Sequence, residues 1–307
     1  MRDAFVETLL VEATNDPNVC LITGDLGYGV LEKFENALPN QYINAGIAEQ
    51  TMVGLAAGMA STGKRVFVYS IANFPTIRAL EQIRNDVCYM NNPVVIVAVG
   101  AGYSYGNQGY THHALEDIAV MRALPGMNVI SPADPYETAE LTRYLVKDKK
   151  PAYLRLGKSG EMQINTRAPN LVEGELNEIY SGTQGSILFT GSIGRKVLEA
   201  RQKLLAEGID FGVYSTPFIT SLKLSSVTRV LNRGPILTVE EHSTRGGLGS
   251  TILELLASSR LSGRVGILGA SQRDLAQIGD QDFLIEENNL GVSSIMSAVK
   301  KLLVGVV

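Results

Sequence analysis

The sequence predicts two α/β domains, each built on a largely parallel sheet. Short β-rich runs alternate with helical stretches almost throughout, and glycines cluster directly behind several of those runs. A polar, helix-poor stretch then divides the chain. In the first half the β-rich runs fall at 19–23, 66–69, 94–99, 128–131 and 153–156, with helical stretches at 49–60, 77–89 and 136–145. Alternation of this kind implies crossover units and parallel pairing. The glycines are Gly24, Gly27, Gly29, Gly100, Gly102, Gly106 and Gly109. Loops at the carboxyl ends of strands are where an open α/β sheet holds its ligands.

The dividing stretch runs over 159–185, and strands at 187–191, 211–214, 236–239 and 265–269 follow it. Helices at 193–206, 247–256 and 293–303 complete that second series. The expected domains are therefore 1–165 and a smaller 180–307.

At 307 residues the chain is long enough for two domains of ordinary size, and 45% hydrophobic content is that of a globular protein. A net charge of −4 argues against non-specific binding to nucleic acid or an anionic membrane, while leaving room for a local basic pocket. Asp3, Glu7 and Glu12 interrupt the apolar positions near the N-terminus, unlike the core of a signal peptide. The longest apolar run, 94–99, is far too short to span a bilayer. Cys20 and Cys88 form no CxxC and no Cys/His cluster, so neither a disulfide framework nor a structural zinc site is indicated. The cytoplasm is the expected compartment.

The most informative stretch is Asn44-Ala45-Gly46-Ile47-Ala48-Glu49-Gln50, which leads into a helix rich in Gly and Ala. Small residues let such a helix pack closely on a neighbour. An isolated glutamate in a first turn is ordinarily a response to the helix dipole, but Glu49 has company. Thr23-Gly24-Asp25-Leu26-Gly27 follows the first strand, and Phe74 precedes Arg78-Ala79-Leu80-Glu81-Gln82-Ile83-Arg84-Asn85-Asp86. Further on come Gly109-Tyr110-Thr111-His112-His113, Pro125-Gly126-Met127, Ser131-Pro132-Ala133-Asp134, and Val239-Glu240-Glu241-His242 with Gly246-Gly247-Leu248-Gly249.

In this order, over essentially the whole chain, these motifs resemble the pyrimidine-binding and C-terminal domains of the transketolase family. The resemblance implies thiamine diphosphate as cofactor and transfer of a two-carbon ketol unit from a ketose-type donor to an aldehyde acceptor. The cofactor's aminopyrimidine must reach its imino tautomer, which a carboxyl promotes by hydrogen-bonding a ring nitrogen. By resemblance Glu49 is that carboxyl. Phe74 supplies the aromatic face, with Tyr69 as a wall behind it, and Asp25 and Leu26 belong to the cofactor pocket. His112 matches the family's active-site histidine, placed near substrate oxygens, and His113 is read as accessory on the substrate side. Arg2 and Lys158 match places where relatives hold basic residues near a sugar phosphate. Glu241 and His242 are assigned a structural or interface role.

Three departures from the family pattern stand out. Gly100 occupies the place of a phosphate-binding histidine. Gln108 replaces the aspartate that reads the donor's hydroxyl stereochemistry. The Gly-Asp-Gly segment that binds diphosphate and its Mg²⁺ is missing, since Gly24-Asp25 continues with Leu26 and Gly279-Asp280 with Gln281. The chain is thus expected to be the C-terminal subunit of a split enzyme. An N-terminal diphosphate-binding subunit would hold Mg²⁺, the expected assembly is α2β2, and the substrate would be a non-standard sugar. Two alternatives are the beta subunit of a 2-oxo-acid dehydrogenase and a non-catalytic paralogue. The forms Gly-Ile-Ala-Glu-Gln and Gly-x-Thr-His favour transketolase over the first; Glu49, Phe74 and His112 argue against the second.

Overall fold

The computed structural model describes residues 1–271 and 276–305. Its first half runs α1 (Arg2–Asn15), β1 (Val19–Thr23), α2 (Glu32–Ala37), β2 (Tyr42–Asn44), α3 (Glu49–Ser61), β3 (Arg65–Ile71) and α4 (Leu80–Gln82). Then come β4 (Val94–Val99), α5 (Asp117–Arg122), β5 (Asn128–Ile130), α6 (Pro135–Lys147) and β6 (Ala152–Leu156). The six strands form one parallel sheet in the order β2-β1-β3-β4-β6-β5. β1, β4 and β6 are buried along their whole length, which is why they read as unbroken apolar runs and not as alternating ones. One face packs under Met52, Val53, Ala56, Ala57 and Ala60 of α3. The other is covered by Phe5 and Leu9 of α1 and Leu141 and Leu145 of α6.

The helix expected over 77–89 begins earlier and is wound differently. α4 is a single turn between two π-helical stretches, Phe74–Arg78 and Ile83–Tyr89. Pro75 lies at the start of the first of these, where its missing N–H costs nothing.

The second half contains β7 (Asn177–Tyr180), β8 (Ser186–Thr190), α7 (Gly194–Ala206), β9 (Gly212–Ser215), α8 (Leu224–Leu231), β10 (Ile236–Ser243), α9 (Leu248–Ser258), β11 (Val265–Ala270), α10 (Gln281–Glu287) and α11 (Val292–Val304). Its strand order is β11-β10-β8-β9-β7, with β7 alone antiparallel. The expectation of an irregular connection over 159–185 is therefore corrected, because β7 lies inside it and edges the second sheet. Its four residues alternate between half-buried and exposed, too short and too polar a pattern to stand out in the sequence.

Buried charges fasten the two halves. Arg155 on β6 donates from Nε to Asp117 Oδ2 at 2.7 Å, and from Nη2 to the carbonyls of Ala114 at 2.9 Å and Glu241 at 3.0 Å. The Tyr153 hydroxyl donates to the same Asp117 oxygen at 2.6 Å. At the head of α6, Asp134 Oδ2 accepts from the Ile164 and Asn165 amides at 2.9 and 2.6 Å. Glu137 accepts from Asn177 on β7 at 2.8 Å and from the Ser215 hydroxyl on β9. These bonds anchor the connection to both domains. Among the described residues no helix is long and apolar enough to cross a membrane.

Candidate active site

The residues singled out in the first half converge on the carboxyl edge of its sheet, behind β1, β2, β3, β4 and β6. Asn44, the last residue of β2, ties the first two loops together. Its Oδ1 accepts from the amides of Asp25 and Gly46, both at 3.0 Å, and its Nδ2 donates to Asp25 Oδ1 at 3.2 Å. Asp25 itself is left-handed, with φ 57°. The Tyr28 hydroxyl donates to its carboxylate at 2.8 Å, and that bond, with Asn44, holds the Asp25 carboxyl below its ordinary pKa. Leu26 lies beside it in a cavity of about 180 Å³ lined also by Tyr28, Leu31, Tyr42 and Asn44.

Glu49 is the first residue of α3 and only 3% exposed. No side chain caps this helix, and Glu49 stands in its first turn, where leading N–H groups lack intrahelical partners. Arg78 Nη1 donates to Glu49 Oε1 at 2.8 Å, and the same guanidinium lies 4.8 Å from the Phe74 ring centroid. Phe74 in turn meets the His112 ring edge-on at 5.3 Å. Glu49, Arg78, Phe74 and His112 thus form one chain of contacts. Arg78 has no role that the sequence alone assigns; its spacing of four from Phe74 on a helical stretch is the available signal. The Arg78 side chain is 51% exposed, and Ile47 at 79% and Ile77 at 53% flank the group, so it opens to solvent.

His112 sits in the loop between β4 and α5, where Thr111 Oγ1 lies 3.0 Å from its Nδ1. Burial pulls its pKa below the ordinary value. The loop's neck is closed by an antiparallel bridge between Gly102 and Ala114. Three of its glycines face the second domain. A Cβ on Gly102 would come within 2.5 Å of the Glu241 carboxyl carbon, and one on Gly106 would strike the Gly279 carbonyl oxygen. Gly109 faces Ile278. Glu241 Oε1 also accepts from the Tyr103 amide at 2.5 Å. Burial pushes the Glu240 and Glu241 carboxyls up to about 7 and the neighbouring His242 imidazole down to about 4.

Two expectations are corrected. Tyr69 does not stand behind Phe74. Side chains alternate along β3, so Val66 and Val68 face α3 while Phe67 and Tyr69 face α1, and the Tyr69 ring stacks on Phe5 at 6.3 Å. His113 is not presented to the site either. It is buried between Tyr103 and Tyr110, with Nε2 3.3 Å from the Gly106 carbonyl.

On the far side of His112 lies Tyr105, with ring centroids 6.5 Å apart, and Lys158 Nζ stands 5.3 Å from the Tyr105 ring. Burial raises the Tyr105 phenol's pKa, and the Arg2 guanidinium works against that rise, which places Arg2 in the same neighbourhood. Arg2 also pairs with Asp3 at 3.1 Å, and Gln108 is exposed. The Tyr105 ring fills the space a side chain on Gly100 would need, and Gly100 has φ 96°. Gly100→Ala should therefore cost at least the about 1–3 kcal/mol of a strained backbone. Denaturant unfolding would measure it, and an unchanged midpoint would count against this packing.

Fold and site together define a class: an α/β protein that gathers a buried carboxylate, an aromatic face, a guanidinium and a histidine at the carboxyl edge of a parallel sheet. Among the described residues no group of three or more His, Cys, Asp or Glu could hold a metal ion. The chain belongs to the transketolase family. The family model for "Transketolase, pyrimidine binding domain" matches residues 1–161, and that for "Transketolase, C-terminal domain" matches 174–287. The chain is 36% identical over 267 residues to one of the subunits of an apulose-4-phosphate transketolase of Phocaeicola vulgatus, covering 86% of each chain. It is 29% identical over 305 residues to the 6-deoxy-6-sulfo-D-fructose transketolase subunit SqwH of Clostridium sp., covering 98% of this chain and 94% of that one. A solved structure described as a split gene transketolase, inactive beta4 tetramer, superposes with a TM-score of 0.90 at 32% identity, over 99% of this chain and 98% of that one.

Proposed function

We propose that this chain is the pyrimidine-side subunit of a two-chain, thiamine-diphosphate-dependent transketolase that moves a two-carbon ketol unit onto an aldehyde acceptor. The observation that carries the reading is the contact chain Glu49–Arg78–Phe74–His112, open to solvent on one side. Its residues fit the cofactor's ring: Glu49 offers a nearly buried carboxyl oxygen and Phe74 an aromatic face beside it. The bound cofactor supplies the carbanion chemistry of ketol transfer. Glu49 holds a proton against a ring nitrogen, Arg78 fixes the carboxylate's orientation, and His112 exchanges a proton with a substrate oxygen. Asp25 and Leu26 shape the pocket wall. The absence of Gly-Asp-Gly from the sequence, and the relatives named as subunits, support a partner that supplies the diphosphate and Mg²⁺ site. We assign the assembly α2β2 stoichiometry and the cytoplasm as its compartment, the first domain to 1–165, and the second, expected over 180–307, to the chain from β7 at 177 onward.

The purified chain should bind thiamine diphosphate weakly or not at all, and gain activity only with its partner. Tight Mg²⁺-dependent binding by this chain alone, seen by calorimetry, would overturn the reading.

The substrate we assign is a sugar other than the common pentose and hexose phosphates, with Arg2, Gln108, His112 and Lys158 on its side of the site. Tyr105 closes the space over Gly100, and Lys158 offers a point charge where a guanidinium fork grips phosphate. The relatives' names point the same way, to apulose 4-phosphate in one and a 6-deoxy-6-sulfo sugar in the other. A coupled assay of the complex with xylulose 5-phosphate and ribose 5-phosphate should show poor turnover. A kcat/KM of about 10⁴ M⁻¹s⁻¹ or more, the ordinary enzyme range, would overturn this assignment.

A further inference from the structure

The second domain contributes none of the residues assigned above to cofactor or substrate, yet its carboxylate Glu241 reaches into the neck of the His112 loop. Glu241 is 2% exposed on β10, and Gln281 at the head of α10 donates to both its oxygens at 3.0 Å. Its Oε1 takes the Tyr103 amide, one residue from the Gly102–Ala114 bridge that closes the loop. The bridge is doubly bonded, from the Gly102 amide to the Ala114 carbonyl at 3.1 Å and back at 2.9 Å. Arg155 donates to that Ala114 carbonyl and to the backbone carbonyl of Glu241 itself. The Ser243 amide donates to the Leu115 carbonyl at 2.8 Å. The loop's base is therefore held by β10 on both strands of the neck. Further along, Gly106 rests against the Gly279 carbonyl and Leu284, where even a methyl group has no room.

We propose that Glu241 is a positioning residue for the reaction, and that the second domain acts as the wall setting the depth of the His112 loop against Phe74 and Glu49. The first domain holds this loop at other points. Tyr105 lies over Gly100, the Asn73 side-chain Nδ2 donates to the His113 carbonyl, and Arg155 donates to the Ala114 carbonyl. The Tyr103 amide, on the opposite strand of the neck, is held by Glu241. A displacement of about 1 Å in a reacting group lowers turnover about 10²-fold. Glu241 sets the neck to within that margin through one short amide bond and one close contact.

The role rests on the thiamine-dependent reading, and the test separates the two. Glu241→Ala and the milder Gln281→Ala are made in the complex with the diphosphate-binding subunit, with turnover of apulose 4-phosphate, a substrate of the kind assigned above, and the half-saturating thiamine diphosphate concentration measured. In the isolated chain, amide hydrogen exchange is followed over 101–114 and over α3. Glu241→Ala should lower kcat about 10²-fold and leave cofactor saturation unchanged. Exchange should rise in the loop and not in α3. Gln281→Ala should move both readouts the same way by less. Glu241→Gln, which keeps an acceptor oxygen for the Tyr103 amide, should restore most of the turnover. Full kcat in a folded Glu241→Ala complex overturns the proposal. So does a loss of turnover accompanied by weaker cofactor binding and faster exchange throughout, which is the signature of general destabilisation. Should Glu49→Gln in the same assay stay active, the thiamine reading fails, while the exchange result still reports whether Glu241 holds the loop.

Discussion

Glu49→Gln is expected to abolish turnover in the assembled enzyme, by at least the about 10²-fold typical of removing an acid–base group, while the fold stays intact. The substitution is nearly isosteric at a position 3% exposed, so no cavity opens in α3 or the sheet beneath it. Arg78 loses a charged partner but keeps an oxygen to donate to, and its own side chain is half in solvent. An exposed cation of that kind adds little to stability. What an amide cannot do is share a proton with a weakly basic ring nitrogen. Steady-state turnover beside a thermal unfolding curve separates the two effects. Near-normal activity would remove Glu49 from the chemistry. His112→Ala makes the contrasting case in the same experiment: under the proposed function, which assigns it to the substrate, it should lower turnover while cofactor binding persists.

Arg155→Ala should destabilise the chain by about 3–5 kcal/mol, the cost of stranding the other half of a buried ion pair. Asp117 has 0% side-chain exposure and Arg155 1%. Burial alone would raise the Asp117 carboxyl, but Arg155, then His242, and the hydrogen bonds from Arg155 and Tyr153 hold it below its ordinary value of 3.8. In the native chain this group therefore contributes stability above that value, and loses it as the pH falls through the depressed pKa. Without Arg155 the sign reverses, because burial then dominates and lifts the carboxyl. The variant should lose further stability as the pH rises past the unfolded value and through the raised one. Denaturant midpoints at pH 5 and pH 8 measure both parts. A variant equally stable at the two, or one costing under about 1 kcal/mol as an exposed pair would, would show that the join does not depend on this pair.

The first sheet is legible in the sequence because its central strands are buried on both faces and so appear as runs of Val, Ile and Ala. α1 is harder to read as a helix: its Phe5, Val6, Leu9 and Ala13 are buried, but acidic residues break up the pattern. β7 is four residues at a sheet edge, and α8 and α10 are short helices between loops. The carboxylate, the aromatic ring and the histidine are legible through motif and order. Which face of β3 each residue takes depends on a register that a shift of one residue reverses, and this is why Tyr69 lies on the side opposite to the expected one. Contacts between the domains, such as Glu241 with Tyr103, join residues more than a hundred positions apart and carry no local signature.

The glycines at 102, 106 and 109 also bear on how such chains can be recombined. At 102 and 106 the second domain occupies the volume a side chain would need, and at 109 it stands in ordinary contact while the backbone itself, with φ 76°, calls for glycine. The two domains are therefore not interchangeable parts, although each has its own sheet and core. A hybrid joining this first domain to a relative's second domain would have to match both tight depths, at 102 and at 106. A bulkier residue at 241 or 284 would meet loop backbone with no side chain to rotate away, and a smaller one would leave the loop unsupported. A side chain at Gly106 should be accepted only alongside a compensating reduction across the seam, whereas Gly102 (φ 61°) and Gly109 (φ 76°) need glycine for their backbone as well. The seam between the domains, more than either interior, thus limits how far one half can drift from the other.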